Sequence, residues 1–203
     1  MTIIESSSIK KIGITGGIGS GKTTVCQIFE TLGIPVYYAD ERAKWLMVND
    51  STLVEGIKNL FGGAAYTENG ELNRAYISQI VFSDSQKLQQ LNALVHPAVL
   101  RDGEAWHAAQ KEVPYTLKEA ALIYESGSYK ELNKVIVVTA PIEVRIKRVM
   151  QRDGVTQDAV EARLQQQMPE EEKIERADFI VNNDGNWTLV PQVLAIHKQL
   201  LEN

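Results

Sequence analysis

The sequence predicts an α/β fold of three layers, in which helices cover both faces of a parallel sheet. Strand-like and helix-like stretches alternate along most of the 203 residues, as they do where crossover helices join parallel strands. Residues 135–138, Val-Ile-Val-Val, are apolar on both faces, which is typical of a strand buried between two helical layers. Hydrophobic residues make up 44% of the chain and charged residues 23%, an ordinary balance for a globular enzyme with a sizeable core.

The first predicted helix stands between the first two predicted strands in the sequence. We expect these strands at residues 11–15 and 35–38, where short apolar runs stand between turn-forming residues. The stretch 23–32 has the pattern of a helix, and Gly33 is expected to end it.

A mainly helical stretch follows. Residues 51–61 predict an amphipathic helix, because their apolar side chains recur on one stripe. Asn73 is expected to cap a helix that reaches residue 82. A further helix begins at residue 85, and Pro97 is expected to interrupt it.

The second half of the chain returns to alternating elements. We expect strands at residues 115–124, 135–138 and 179–181, the first of them ending at Glu125. Pro141 suits the first turn of a helix that runs to residue 151. A polar helical segment is predicted at 156–175 and a closing helix at 187–201.

The sequence Gly-Gly-Ile-Gly-Ser-Gly-Lys-Thr at residues 16–23 fits the phosphate-binding pattern G-x-x-x-x-G-K-[ST], and it stands between a predicted strand and a predicted helix. Glycines let successive backbone N–H groups face one anion, and the helix N-terminus adds partial positive charge there. The motif therefore predicts a nucleoside triphosphate site, with Lys22 on the β- and γ-phosphates and the Thr23 hydroxyl on Mg²⁺. The predicted phosphate contacts are Gly17, Ile18, Gly19, Ser20, Gly21, Lys22, Thr23 and Thr24.

The strands fall into two blocks, which suggests how the chain is organised. We expect a nucleotide-binding core of residues 9–45, 113–141 and 177–203. The helical stretch 46–112 is predicted to be an acceptor-binding insertion, and the polar stretch 142–176 a helical lid. This is the layout of a small-molecule kinase.

The chain resembles dephospho-coenzyme A kinases along nearly all of its length. The resemblance rests on residues 13–23, Ala39-Asp40 with Arg42-Ala43-Lys44, 91–97, 122–127, 148–154, Arg163 with Gln167-Met168-Pro169, and Ala177-Asp178-Phe179 with Asn183. It implies a P-loop NTPase core with an acceptor insertion and a lid. It also implies Mg²⁺-dependent transfer of the γ-phosphoryl group of ATP to the ribose 3′-hydroxyl of dephospho-CoA, the last step of coenzyme A synthesis. The expected partners are thus ATP and dephospho-CoA.

Asp40 is the expected acceptor-activating residue. It follows the second strand, where a carboxylate can orient a hydroxyl and accept its proton. By itself the residue fits equally well as the N-cap of a helix that begins at Glu41; the resemblance favours the catalytic role. The family often has Asp at the position of Tyr38 and Arg at the position of Lys44, so both are departures.

Arginines in the predicted lid are the second group of candidates. Arg145, Arg148 and Arg152 share one helix face, and Arg163 lies in the next polar helix. Arginines that close over the nucleotide can neutralise charge that develops on the transferred group. The resemblance assigns Arg148 and Arg152 to catalysis and Arg148 and Arg163 to ATP, and it leaves Arg145 to solvent.

The remaining candidates come mainly from the resemblance. Glu125, which we expect at a strand end, would hold Mg²⁺ or contact the acceptor, or else form a salt bridge there. His96 and Arg74 are expected to contact the acceptor, Arg74 through a phosphate. Asn183 is expected near the adenine of ATP.

Composition excludes several other classes. The net charge of −5 argues against a nucleic-acid-binding protein, and no apolar run is long enough to span a bilayer. Residues 1–8 lack the apolar stretch of a signal peptide, so we expect a cytoplasmic protein, monomeric or weakly self-associating. A single cysteine, Cys26, excludes an internal disulfide and is expected to be a buried, inert thiol. No histidine pairs with it at metal-ligand spacing, so no zinc site is predicted.

Two alternatives stay open at this point. A kinase for a nucleoside monophosphate or another small alcohol would share the loop and the lid but would read its acceptor differently through residues 46–112. A nucleotide-dependent switch is disfavoured because the Asn-Lys-x-Asp type of guanine reader is absent: Asn133-Lys134 continues into Val135-Ile136.

Overall fold

The structure, a computed structural model, describes residues 9–202. The first eight residues, on which the expectation of no signal peptide rests, lie outside the described residues. Within residues 9–202, no helix combines the length and the apolar character needed to cross a membrane.

The described residues form a five-stranded sheet at the centre of an α/β fold. Its strands are β1 (Lys10–Thr15), β2 (Val36–Tyr38), β3 (Tyr115–Glu119), β4 (Lys134–Thr139) and β5 (Phe179–Asn182), in the order β2-β3-β1-β4-β5. β1 pairs in parallel with β3 and β4, and β4 pairs in parallel with β5. Ile12 and Ile14 of the central strand are fully buried, as expected for a sheet covered on both faces. The predicted fold class is confirmed.

The α-helices that the structure describes are, in chain order, α1 (Lys22–Thr31), α2 (Ala39–Asn49), α3 (Ser51–Phe61), α4 (Arg74–Ser83), α5 (Ser85–Ala108), α6 (Ile142–Asp153), α7 (Gln157–Leu164), α8 (Glu170–Glu175) and α9 (Leu189–Glu202). Pro141 is the N-cap of α6 and not a residue of its first turn. The polar segment predicted at 156–175 is divided into α7 and α8, because residues 165–169 leave the helix and Pro169 becomes the N-cap of α8.

The described part of the chain divides into two compact units. The first takes in the described residues up to Tyr37 and from Gln110 onward, and so contains the sheet apart from Tyr38. The second unit runs from Tyr38 to Ala109 and contains α2, α3, α4 and α5.

The second unit has a hydrophobic core of its own. Its buried residues are Leu46, Leu53, Ile57, Phe61, Ala65, Tyr66, Ile77, Val95 and Ala98. The helix boundaries are set locally, since the side chain of Asp50 accepts a hydrogen bond from the amide of Leu53 and that of Asn73 accepts one from the amide of Tyr76. The predicted cap at Asn73 is confirmed.

The expected interruption at Pro97 is wrong. The helix α5 is 24 residues long in total, and Pro97 lies inside it. A proline inside a helix removes one hydrogen bond and crowds the preceding turn, at about 3 kcal/mol. Here the neighbouring Val95 and Ala98 are buried in the core of the second unit, and this packing offsets the loss.

The third strand is shorter than the sequence predicts. β3 ends at Glu119, and the apolar residues that follow form a turn up to Gly127. Ile123 and Tyr124 are buried there against Val135 and Val137 of β4, so their hydrophobicity reflects packing of a turn and not a strand.

Candidate functional site

The predicted phosphate loop connects β1 to α1, and close packing explains its glycines. Gly19 has a φ of +79°, a region that glycine adopts readily. A Cβ atom at this position would lie 2.5 Å from the carbonyl oxygen of Arg145, so any larger residue would displace the backbone there. Gly21, the N-cap of α1, carries no side chain that could cap the first amides of the helix. The loop thus offers backbone donors at a helix N-terminus, the arrangement that binds phosphate.

Lys22 lies at the first position of α1 and turns back over the loop. Its Nζ donates a hydrogen bond to the carbonyl oxygen of Gly16 at 3.0 Å and lies 4.0 Å from Oε1 of Glu119. Thr23, the next residue of α1, is exposed. The sequence-predicted lysine and hydroxyl are therefore placed together at the start of the helix.

Glu119 is a site residue that the sequence analysis missed. It is the last residue of β3, it is buried, and it lies beside the loop lysine. The apolar residues up to 124 predict a longer strand, which would put the strand-end carboxylate at Glu125. A signal was present: Glu119 stands in phase with the buried Tyr115 and Leu117, where an apolar residue would be usual.

Arg148 and Asn183 meet at the phosphate loop. Nη2 of Arg148 donates to the carbonyl oxygen of Asn183 at 3.0 Å, and Nη1 donates to that of Gly19 at 3.4 Å. The side-chain amide of Asn183 donates to the carbonyl oxygen of Ser20 at 2.7 Å. The residue that follows β5 and the middle of α6 are thereby fastened to the loop.

Arg152 and Arg163 are placed elsewhere. Both bond the carboxylate of Asp153 at the end of α6, Arg152 through Nε at 2.7 Å and Arg163 through Nη1 at 2.9 Å. The hydrogen bond from Arg152, together with that from Arg163, lowers the pKa of Asp153 to about 2. The structure therefore does not bring these two arginines to the loop with Arg148.

The expectation that Arg145 faces solvent is wrong. The side chain is only 8% exposed, and its Nη1 forms an ion pair with Oε2 of Glu170 at 2.7 Å. The guanidinium lies against Gly17, where an added Cβ would collide with Nη1. The spacing of residues along α6 does not reveal that α8 covers this side of the helix with the carboxylate of Glu170.

Glu125 does not end a strand, contrary to expectation. Its Oε1 lies 2.9 Å from Nζ of Lys173, which is 1% exposed, and accepts a hydrogen bond from the amide of Met168 at 2.8 Å. Partial burial by itself raises the pKa of this carboxyl, but the hydrogen bonds from Lys173 and Met168 outweigh it and hold the pKa below the ordinary value. The salt-bridge alternative for Glu125 thus describes its contacts.

The same segment reaches the phosphate loop. Oε1 of Gln167 accepts a hydrogen bond from the amide of Ile18 at 3.0 Å. Because Glu125 holds the adjacent Met168, the turn after β3 and the phosphate loop are both tied to residues 165–169.

The candidates of the second unit are exposed. Asp40 is the second residue of α2, whose N-cap is Tyr38, so the capping alternative for Asp40 is wrong. Arg74 begins α4, and His96 lies in the middle of α5. All three side chains face water in this unit.

The residues present fit a magnesium ion of the kind that accompanies a nucleotide. Within residues 9–202, no group of three or more His, Cys, Asp or Glu side chains is arranged to hold a metal ion. Mg²⁺ usually takes one or two protein oxygens and completes its shell with phosphates and water. The hydroxyl of Thr23 and the carboxylate of Glu119 are oxygen donors of that kind beside the loop lysine.

Cys26 lies on α1 and is fully buried, as expected. Burial, reinforced by the charge of Glu119, raises the pKa of its thiol well above the ordinary value. The thiol is therefore protonated and is no nucleophile.

Comparisons with known proteins agree with one another. The family model described as dephospho-CoA kinase matches residues 10–188. The chain is 43% identical over 176 residues to the dephospho-CoA kinase of Salinibacter ruber, covering 86% of this chain and 88% of the relative. A crystal structure of a Thermus thermophilus protein, 36% identical, superposes with a TM-score of 0.83 over 96% of this chain and 99% of the other. The dephospho-CoA kinase of Campylobacter jejuni, 29% identical, gives a TM-score of 0.70 over 95% of this chain and 97% of its own.

Proposed function

The chain belongs to the dephospho-CoA kinase family, and we propose that it transfers the γ-phosphoryl group of ATP to the ribose 3′-hydroxyl of dephospho-CoA, giving coenzyme A and ADP. The observation that carries the proposal is the loop of residues 16–23, with Lys22 folded over it and Arg148 bonded to its rim. This arrangement binds a triphosphate, and the family match over residues 10–188 supports the acceptor.

In this proposal the phosphates of ATP lie on the backbone amides of residues 17–24. When ATP binds, Lys22 releases the carbonyl oxygen of Gly16 and donates instead to the β- and γ-phosphates, because charged oxygens are stronger acceptors. Arg148 and Asn183 border the loop on the side where the nucleoside would lie. Nη2 of Arg148 bonds the backbone carbonyl of Asn183 and, at 3.5 Å, its Oδ1, while the side-chain amide of Asn183 bonds Ser20. The site is thus set for ATP before the acceptor arrives.

Magnesium would be held by Thr23, with Glu119 as a second oxygen donor, directly or through water. When bound, the ion neutralises charge on the β- and γ-phosphates. The carboxylate of Glu119 also balances the charge of Lys22, which is 12% exposed.

Asp40 is proposed to orient the acceptor. Its carboxylate accepts a hydrogen bond from the 3′-hydroxyl, whose oxygen attacks the γ-phosphorus. A new P–O bond forms while the bond from the γ-phosphorus to the β,γ-bridging oxygen breaks. ADP leaves with the bond electrons, and Asp40 takes the hydroxyl proton. Since phosphoryl transfer has a loose transition state, orientation contributes more than basicity.

Other residues of the second unit would bind the rest of the acceptor. Arg74 is proposed to pair with the pyrophosphate of dephospho-CoA, and His96 to donate a hydrogen bond to the same substrate. Both side chains are exposed, as a binding role requires.

Arg152 and Arg163 are proposed to turn toward the transferring group from the lid segment of residues 142–176, whose Arg148 and Gln167 already contact the phosphate loop. Both arginines are about half exposed in their pairs with Asp153. Surface ion pairs of this kind contribute between about 0 and 1 kcal/mol. Either arginine can therefore leave the carboxylate of Asp153 for a phosphate at little cost in free energy. Their approach would also exclude water and limit hydrolysis of ATP.

The experiment that tests the proposal is ADP release from Mg-ATP with dephospho-CoA, compared with adenosine, AMP and water. Mass spectrometry of the acceptor identifies the product. We expect one phosphoryl group on dephospho-CoA and little on the others. Transfer to AMP or adenosine would favour the kinase for a nucleoside monophosphate or small alcohol, and ADP release that ignores every acceptor would refute the acceptor assignment.

A further inference from the structure

We propose that Arg145 is a second cation for the terminal phosphate of bound ATP, held beside the phosphate loop by Glu170. The inference rests on the proposed function in taking ATP as the ligand of the loop. It assigns a residue that the family resemblance leaves to solvent.

The position of Lys22 shows which end of the loop receives the γ-phosphate. A loop lysine of this type reaches the β- and γ-phosphates. Its Nζ lies 3.0 Å from the carbonyl oxygen of Gly16, the first residue of the loop. The start of the loop, Gly16 and Gly17, is therefore the γ-phosphate end.

Arg145 lies at that same end. A Cβ atom on Gly17 would collide with Nη1 of Arg145 and would lie 3.2 Å from Oε2 of Glu170. The absence of a side chain at Gly17 thus gives the guanidinium its place against the loop. Because the residue is only 6% exposed, its charge acts through little water.

Glu170 is anchored independently of Arg145. Its Oε1 accepts hydrogen bonds from the hydroxyl of Thr139 and, at 3.3 Å, from the amide of Ala140, both at the end of β4. Its Oε2 faces Nη1 of Arg145 at 2.7 Å. The carboxylate therefore fixes the guanidinium at the loop without needing to move.

Part of the hydrogen-bonding capacity of Arg145 is unused. Its Nε is buried and has no hydrogen-bond partner among residues 9–202. Buried polar groups are almost always bonded, so such a donor is unusual. A guanidinium offers five N–H donors in a planar fork, and a phosphate group can accept from two of them at once.

These contacts place Arg145 where it would bind the γ-phosphate of ATP. Arg145 and Glu170 both line a cavity of about 820 Å³, together with Thr139 and Gln167. A γ-phosphate at the start of the loop would share Arg145 with Glu170. ADP lacks that group and would leave Arg145 on the carboxylate alone. Arg145 should therefore strengthen ATP binding more than ADP binding.

The test measures the affinities of Mg-ADP and of the Mg complex of a β,γ-imido analogue of ATP by isothermal titration calorimetry. Arg145→Gln alone leaves a buried carboxylate without its partner and could destabilise the fold. The variant R145Q/E170Q removes both charges and keeps the measurement possible. We expect this double variant to weaken the analogue roughly tenfold more than ADP, as loss of a charged hydrogen bond does.

Two further variants separate charge at the loop from charge in general. Arg145→Lys keeps a positive charge beside the loop, so this variant should retain part of the preference for the analogue over ADP. Lys147→Gln removes an exposed positive charge from the same helix and should leave both affinities unchanged. Equal weakening of both nucleotides in R145Q/E170Q, or no change in either, would overturn the proposal.

The binding measurement needs no acceptor. If the wild-type chain fails to phosphorylate dephospho-CoA, the proposed function fails while the difference between the two nucleotides still decides the role of Arg145. If coenzyme A is formed and that difference is absent, only the role of Arg145 is refuted.

Discussion

Replacing Lys173 with methionine should destabilise the fold, because it leaves the carboxylate of Glu125 without its cation. Methionine keeps the length of the apolar stem and removes the charge. Nζ of Lys173 lies 2.9 Å from Oε1 of Glu125, with the two side chains 1% and 21% exposed. Removal of one partner from a buried ion pair costs about 3–5 kcal/mol. Glu125 retains the amide of Met168 and some water, so we expect the lower end, about 3 kcal/mol.

Urea denaturation at pH 7 measures this effect. The free energy of unfolding is compared for wild type, Lys173→Met, Glu125→Gln and the double variant. We expect a coupling free energy of about 2 kcal/mol between the two sites, within the range of contacting residues. Lys198→Met is the matched control, because Lys198 pairs with Glu202 at 3.8 Å on the surface and should change stability by less than about 0.5 kcal/mol.

The same pair makes a prediction about pH. The pKa of Glu125 is lower in the folded chain than in the unfolded one, so the pair stabilises the fold above the unfolded pKa, about 4.3. This stabilisation is lost as the pH falls through the folded pKa. The difference in stability between wild type and Lys173→Met should therefore shrink below pH 4. A coupling near zero at pH 7, or a difference that does not depend on pH, would refute the reasoning.

Three further variants test the proposed site. Lys22→Ala should lower kcat by orders of magnitude while the circular dichroism spectrum stays native, because the β- and γ-phosphates lose their cation. Asp40→Asn should keep ATP binding, measured by calorimetry, but lose transfer to dephospho-CoA, because the neutral amide orients the 3′-hydroxyl less well than the carboxylate and cannot accept its proton. Gly19→Ala should lower stability by about 1–2 kcal/mol, since its φ is +79°, and should abolish the rise in Tm that Mg-ATP produces, since its Cβ would press on Arg145.

Two of these variants have a matched control. Glu41→Gln changes the exposed carboxylate next to Asp40 and should leave transfer unchanged. Gly33→Ala imposes a similar backbone strain, at a φ of +81°, but a Cβ there meets nothing within 4 Å. It should lower stability without affecting the response to ATP. Near-normal turnover in Lys22→Ala, transfer in Asp40→Asn, or a normal rise in Tm for Gly19→Ala would contradict the assigned roles.

Features encoded by nearby residues could be predicted from the sequence. The helix α3 has the predicted bounds, and the cap at Asn73 is where the sequence puts it, because both depend on residues within a few positions. The loop of residues 16–23 is equally local, since its glycines, lysine and threonine are contiguous.

Features that depend on distant partners could not be predicted in this way. The burial of Arg145 depends on Glu170, which is 25 positions away and belongs to another helix. The role of Glu125 depends on Lys173, and the helix through Pro97 depends on the core of the second unit. The alternation of side chains along β3 indicates that Glu119 shares a face with buried residues. The apolar residues of the turn after it, however, resemble the continuation of a longer strand.

The placement of the single cysteine has a consequence for a kinase whose product is itself a thiol. Thiols exchange with disulfides through their thiolate forms, so a reactive cysteine near the site would form mixed disulfides with oxidised coenzyme A. Cys26 stands three residues after Thr23 in α1, yet it is fully buried, and its pKa is raised by burial and by Glu119. The folded enzyme therefore offers no reactive thiol to its product, and oxidised coenzyme A should form no mixed disulfide beside the phosphate loop.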